Sequence, residues 1–151
     1  MPILIFVFIL TCRLSMAQNL NDIGLYVNSE GDLFNGVLTV QKDKVKSELS
    51  VRNGVIEGPA NYFYASGNLM ESGNFTGGKK DQKWIRYNEN GVITATAFYS
   101  LGKKAGIWQV FDDNGKIRFE MKYQDGEKTG IWTSWDESGI VSNTKNYSVS
   151  N

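Results

Sequence analysis

Two pairs of neighbouring acids, Asp112-Asp113 and Asp136-Glu137, are the residues of this chain best suited by type to do chemistry. Glycoside hydrolysis uses two such carboxyl groups a few ångströms apart, one as acid and the other as base or nucleophile. The segment Gly73-Asn-Phe-Thr-Gly-Gly78-Lys79-Lys80 has the glycine and lysine spacing of a phosphate-binding loop, with Lys80 where the magnesium-binding Ser or Thr belongs. Other chemistry lacks its residues. The chain has no histidine and a single cysteine, Cys12, which leaves carboxylates, Lys, Tyr and Ser/Thr as reactive groups. The surroundings weaken both candidates. The acid pairs lie in Asn-, Asp- and Gly-rich stretches where turns favour acids, and no helical pattern follows Lys80 to present a positive dipole to a phosphate. The expectation is a non-enzymatic protein without catalytic residue, cofactor or metal.

The elements that hold these residues recur every 24 residues. One phase is Phe63, Tyr87, Phe111 and Trp135, and another is Gly67, Gly91, Gly115 and Gly139. Further phases are Leu69, Ile93, Ile117, Val141; Phe75, Tyr99, Tyr123, Tyr147; and Trp84, Trp108, Trp132. Self-similarity at a fixed spacing outranks any local motif. A shortened earlier copy begins at Gly36, 22 residues before Gly58, and brings the array to about five units.

Within one unit, Ile117, Phe119, Met121 and Tyr123 alternate with Lys116, Arg118, Glu120 and Lys122, the pattern of a half-buried strand. The shorter run Ile107–Phe111 precedes it, and Asp112-Asp113-Asn114-Gly115 separates the two as a hairpin turn in which both Asn and Gly tolerate positive φ. Equivalent turns are expected at Asn35-Gly36, Asn53-Gly54, Ser66-Gly67, Asn90-Gly91 and Ser138-Gly139. Hairpin following hairpin gives an antiparallel meander in which each unit leans on its neighbours.

The string Gly106-Ile-Trp108-x-x-Phe111-x-x-x-Gly115-x-Ile117, followed by Tyr123-x-x-Gly126 and Gly130-x-Trp132, resembles the MORN-repeat variant that defines the YwqK-type antitoxin family. The resemblance implies an all-β, elongated, single-layer antiparallel β-meander of stacked hairpins over residues 34–151. Two copies depart from the pattern: Gln82-Lys83-Trp84 lacks the leading Gly, and Gly58-Pro59-Ala60 lacks the Trp.

Residues 1–17 carry an apolar run from Ile3 to Leu10 and end in Ser15-Met16-Ala17, the form of a cleaved secretory signal. The expected location is therefore periplasmic, cell-envelope or extracellular, with lipid attachment at Cys12 the less favoured reading because Thr11 fits a lipobox poorly. Residues 18–33 are expected to form an N-terminal capping segment. The chain has 16 basic and 16 acidic residues, so it lacks the basic excess that binds nucleic acid. The sequons Asn74-Phe-Thr76 and Asn146-Tyr-Ser148 matter only in a glycosylating host.

The candidate interaction surface comprises Trp84, Trp108, Trp132, Tyr99 and Tyr123, with Lys80, Lys104 and Lys128. The lysines are expected on one set of turns and Glu89, Asp113 and Glu137 on the other, giving the sheet a basic and an acidic edge. The aromatic rows suit either a core spine or a platform for sugar rings, and a single-layer sheet leaves one face to solvent or a partner. The leading expectation is an unknown protein partner bound along the sheet, an antitoxin-like role being what the family name implies. The alternative is attachment to envelope polysaccharide or anionic lipid headgroups.

Overall fold

The computed structural model describes residues 19–147; the leader expected at residues 1–17, with Cys12, lies outside them. The strands are β1 (Asn19–Leu20), β2 (Tyr26–Val27), β3 (Gly36–Lys42), β4 (Val45–Arg52), β5 (Val55–Phe63), β6 (Leu69–Thr76), β7 (Lys79–Tyr87), β8 (Ile93–Ser100), β9 (Lys103–Phe111), β10 (Ile117–Gln124), β11 (Glu127–Trp135) and β12 (Val141–Asn146). Strands β3 to β12 form one open antiparallel sheet in chain order, the meander expected from the repeat. The pair β1–β2 stands beside it, bridged from Val27 to Leu33 just before β3 and held to the β4–β5 turn by Tyr26 N–H donating to Gly54 O.

From β4 onward, two kinds of turn alternate along the sheet. At one end, two-residue loops join the strands, with positive φ at both residues of Asn53-Gly54, Gly77-Gly78, Leu101-Gly102 and Asp125-Gly126. This is the type I′ geometry that matches the twist of a hairpin. At the other end, five-residue turns close on a side-chain oxygen: Asn88 Oδ1 accepts the N–H groups of Asn90 and Val92, and Asp112 Oδ1 those of Asn114 and Lys116.

That division corrects two expectations. In Asn90-Gly91 and Asn114-Gly115 only the glycine has positive φ, because the side-chain oxygen two positions earlier already holds the turn. Asn35-Gly36 is no hairpin turn at all. Gly36 opens β3, Asn35 Oδ1 accepts the Asn53 N–H at 2.8 Å, and the turn after β3 falls at Asp43-Lys44.

Each junction between one hairpin and the next contains a bulge, and the bulge explains the repeated Gly-x-Trp. Gln82-Lys83-Trp84 bows out against Gly73, Gly106-Ile107-Trp108 against Ala97, and Gly130-Ile131-Trp132 against Met121. The leading residue takes φ of 62° at Gly106 and Gly130. Gln82 takes the same conformation, φ 60°, so the copy without glycine keeps the bulge with a strained residue. A second shift near the long turns pairs Ile117 with Phe111 but Phe119 with Val110, so Ile117 and Phe119 lie on opposite faces despite their spacing of two.

The compact core lies under the first half of the sheet. Leu38, Leu49, Val51, Ala60 and Trp84 are buried together, with Tyr26, Phe34, Ile56, Tyr62 and Phe75 packed around them. The segment before β3 closes this end: Tyr26 N–H donates to Gly54 O at 2.8 Å, Phe34 N–H to Tyr26 O, and Gly54 N–H to Phe34 O.

Candidate functional site: an aromatic face crossed by lysines

On the face that carries the core, the repeat lines up Tyr62, Phe75, Trp84, Tyr99, Trp108, Tyr123, Trp132 and Tyr147. The bulge tips each Trp ring across the preceding strand. There its Nε1 donates to a main-chain carbonyl: Trp84 to Asn74 O at 3.1 Å, Trp108 to Phe98 O at 2.9 Å and Trp132 to Lys122 O at 3.1 Å. Trp and Tyr then alternate in contact, with centroids 6.4 Å apart for Trp84–Tyr99, 5.0 Å for Tyr99–Trp108, 5.3 Å for Trp108–Tyr123, 5.2 Å for Tyr123–Trp132 and 4.6 Å for Trp132–Tyr147. Tilted and edge-on pairs of this kind stabilise beyond their buried area.

The lysines of the candidate surface belong to this ladder. Lys80, Lys104 and Lys128 are the second residues of β7, β9 and β11, just past the two-residue turns rather than on them. Their ammonium groups fold over the rings: Lys80 Nζ lies 3.7 Å from the Trp84 centroid, Lys104 Nζ 4.5 Å from Trp108 and Lys128 Nζ 4.6 Å from Trp132, each also facing the next Tyr. A basic edge of outstretched lysines is thereby corrected to cations seated on π faces. Lys80 also pairs with Glu71 at 3.3 Å, while Lys104 and Lys128 have no ion pair among the described residues. Glu89, Asp113 and Glu137 stand exposed at the long-turn end.

Burial divides the candidate residues. Trp84 is 1% exposed and Tyr123 is also buried, so neither offers a free ring to a ligand; Trp84 is core. Trp108, Trp132 and Tyr99 are half-buried. The difference begins at the bulge partner. A Cβ on Gly73 would overlap the Trp84 ring, so Trp84 lies flat on bare backbone, whereas the same place holds Ala97 under Trp108 and Met121 under Trp132.

Beside the last two rungs, Phe119, Met121, Trp132, Ser134, Asn143, Lys145 and Tyr147 line a groove of about 250 Å³, with Phe119 49% exposed. Two repeats earlier, the corresponding positions are Glu71, Gly73, Trp84, Arg86, Ala95, Ala97 and Tyr99, most of which line a similar hollow. Apart from Trp132, the groove residues were not among the sequence candidates. Their signal was the row Glu71, Ala95, Phe119, Asn143, whose chemistry changes along the array while its spacing does not.

Burial, and then the nearby Glu71 carboxylate, raise the pKa of Tyr62 and Tyr99 above the ordinary 10.0. Asp112 is held below its ordinary value mainly by the Lys116 N–H. The acid pairs that suggested hydrolysis are thus turn formers: Asp112 Oδ1 takes two main-chain donors and Asp136 Oδ1 takes the Ile140 N–H. The segment resembling a phosphate loop runs from β6 through the Gly77-Gly78 turn into β7, with no helix at its end.

Residues 56–76 and 104–125 match the MORN repeat variant. Each match runs from the first strand of a hairpin to the end of its second, β5–β6 and β9–β10, and the two begin two repeat lengths apart. The hairpins between and after them keep the same junctions, with Gln82 bowed out against Gly73 and Gly130 against Met121. No curated protein matches the chain.

Proposed function

We propose that this MORN-repeat sheet is a non-enzymatic, exported binding module whose second half receives a protein partner. The observation that carries the reading is the half-exposed aromatic face beside the Phe119–Tyr147 groove. An apolar hollow with a few polar groups at its rim suits a protein side chain better than a sugar, since Lys104 and Lys128 already cover one face of Trp108 and Trp132. An antitoxin-like role is the narrower form of the same proposal, with the toxin met outside the cytoplasm because residues 1–17 read as an export signal.

The test is affinity purification of tagged full-length protein from fractionated native cells, with mass spectrometry of what co-elutes, for the natural chain and for Phe119→Asp. A stoichiometric protein in the envelope or external fraction, lost with Phe119→Asp, supports the reading. A partner that Phe119→Asp retains, or no protein partner at all, overturns it. Envelope attachment is the second reading, favoured by Lys104 and Lys128 having no carboxylate partner among the described residues. It requires retention on envelope material that fades with added salt, because exposed charges are screened within about 10 Å at 0.1 M ionic strength.

A further inference from the structure

The two outer edges of the ten-stranded sheet are the two halves of one junction. Within the chain, β4, β6, β8 and β10 each pair through a bulge with the first strand of the next hairpin. By the repeat, β12 occupies the place of β4, and β3 that of β5. The register Ser47↔Tyr62, Leu49↔Ala60 of β4–β5 therefore becomes Asn143↔Val40, Lys145↔Leu38 between β12 of one copy and β3 of another. No like charges oppose each other at these positions. Gly36 supports the correspondence. Its φ is positive, 148°, at the place of the bulge glycine Gly58 with 93°, although β3 has no full strand on its outer side.

Part of that place is already filled. Val27 bridges Leu33, and Tyr26 O accepts the Phe34 N–H at 3.0 Å, much as Arg52 and Val51 lie beside Val55 and Ile56. Tyr26 thus stands where Tyr147 of an incoming β12 would have to lie. The remainder of the β3 edge is open, with Val37 60% and Val40 39% exposed.

We infer that residues 19–34 are a plug in the strand-accepting edge of this sheet, and that a second copy's β12 is the strand the plug excludes. A contact that joins the tail of one copy to the head of the next does not close, so unplugged chains grow into open assemblies. Bare edges are the usual route to such growth. The cap at the start of the array therefore sets the assembly state as well as covering the core.

The test uses sedimentation of the full-length chain across a concentration series. Tyr26→Asp with Val27→Pro loosens the plug, and the expected result is a weight-average mass that climbs with concentration to at least about twice that of the natural chain. Thr144→Pro is then added. Tyr147 N–H points inward to Gly130 O, so by alternation the Thr144 N–H points out of the sheet, where proline removes a donor needed only by the incoming strand. Return to the mass of the natural chain supports the plug. A loosened chain that keeps the mass of the natural chain, or one whose growth Thr144→Pro leaves unchanged, overturns it. Tyr26→Ala, which keeps the plug's backbone, is the milder second variant and is expected to show the same growth at higher concentration only.

Discussion

Phe34 and Ile56 hold the place in their hairpins that Lys80 and Lys104 hold in theirs, since each offers its carbonyl to the N–H of the next turn glycine: Gly54, Gly78, Gly102 and Gly126. The two halves of the sheet thus share a backbone and differ in what covers it. In the first half, apolar side chains at this position close over Leu38, Val51 and Ala60. In the second half, ammonium groups rest on the half-open rings of Trp108 and Trp132 and on the Tyr rings beside them. A repeat can hold its geometry constant and still pass from a core to a surface along its length. Trp84 sits at the crossing point, ringed by Tyr62, Phe75 and Tyr99 and capped by Lys80.

The largest expected difference between the halves is at the tryptophans. Trp84→Ala should cost about 3–5 kcal/mol, whereas Trp132→Ala, removing a half-buried ring, should cost about 1–2 kcal/mol. Equal losses in urea unfolding would erase the distinction between core and surface. Gly73→Ala comes next: the new methyl meets the Trp84 ring, and the overpacking should cost about 1–3 kcal/mol. Ala97→Gly, at the same place under Trp108, should stay within about 1 kcal/mol apart from backbone entropy. Gln82→Gly should stabilise by about 1 kcal/mol, because Gln82 is held at φ 60° where its neighbours in the repeat are glycine. A fall in melting temperature would show that the Gln82 side chain contributes more than its strain.

The smallest effect is alkaline. Tyr62 and Tyr99 have raised pKa values in the folded chain, so their contribution is complete below the unfolded value near 10 and is lost as pH rises through the folded value. An absorbance titration at alkaline pH should show two tyrosines ionising late, and Glu71→Gln should bring both forward. Late ionisation unaffected by Glu71→Gln would leave burial as the whole cause.

The meander, the strand content and the rows of aromatics were legible in the sequence because a fixed spacing in an antiparallel sheet places like residues side by side. What the spacing concealed was phase. Alternation assigned Ile117 and Phe119 to one face, yet the shift at Arg118 separates them. The Asn-Gly pairs looked like two-residue turns, but Asn88 and Asp112 close longer turns with side-chain oxygens that local propensity does not register. The lysines were legible by position and misjudged by direction: four flexible methylenes let a residue just past a turn lay its charge back over a ring. The groove at Phe119 and Met121 depends on residues from three strands, and a row whose members change from Glu to Ala to Phe carries no compositional signature.

The handing of each two-residue-turn glycine's N–H to a carbonyl one hairpin earlier in the chain bears on how the molecule resists tension. Force applied between the two ends of the sheet runs across the strands and loads every ladder in series, so the least buried ladders are the first to yield. Hairpins then peel away singly from the β12 side, each releasing roughly 80 Å of chain at about 3.4 Å per residue. The early steps break half-open aromatic rungs at low force. The last rungs to yield are those from Trp84 back to Leu38, where the buried cluster lies.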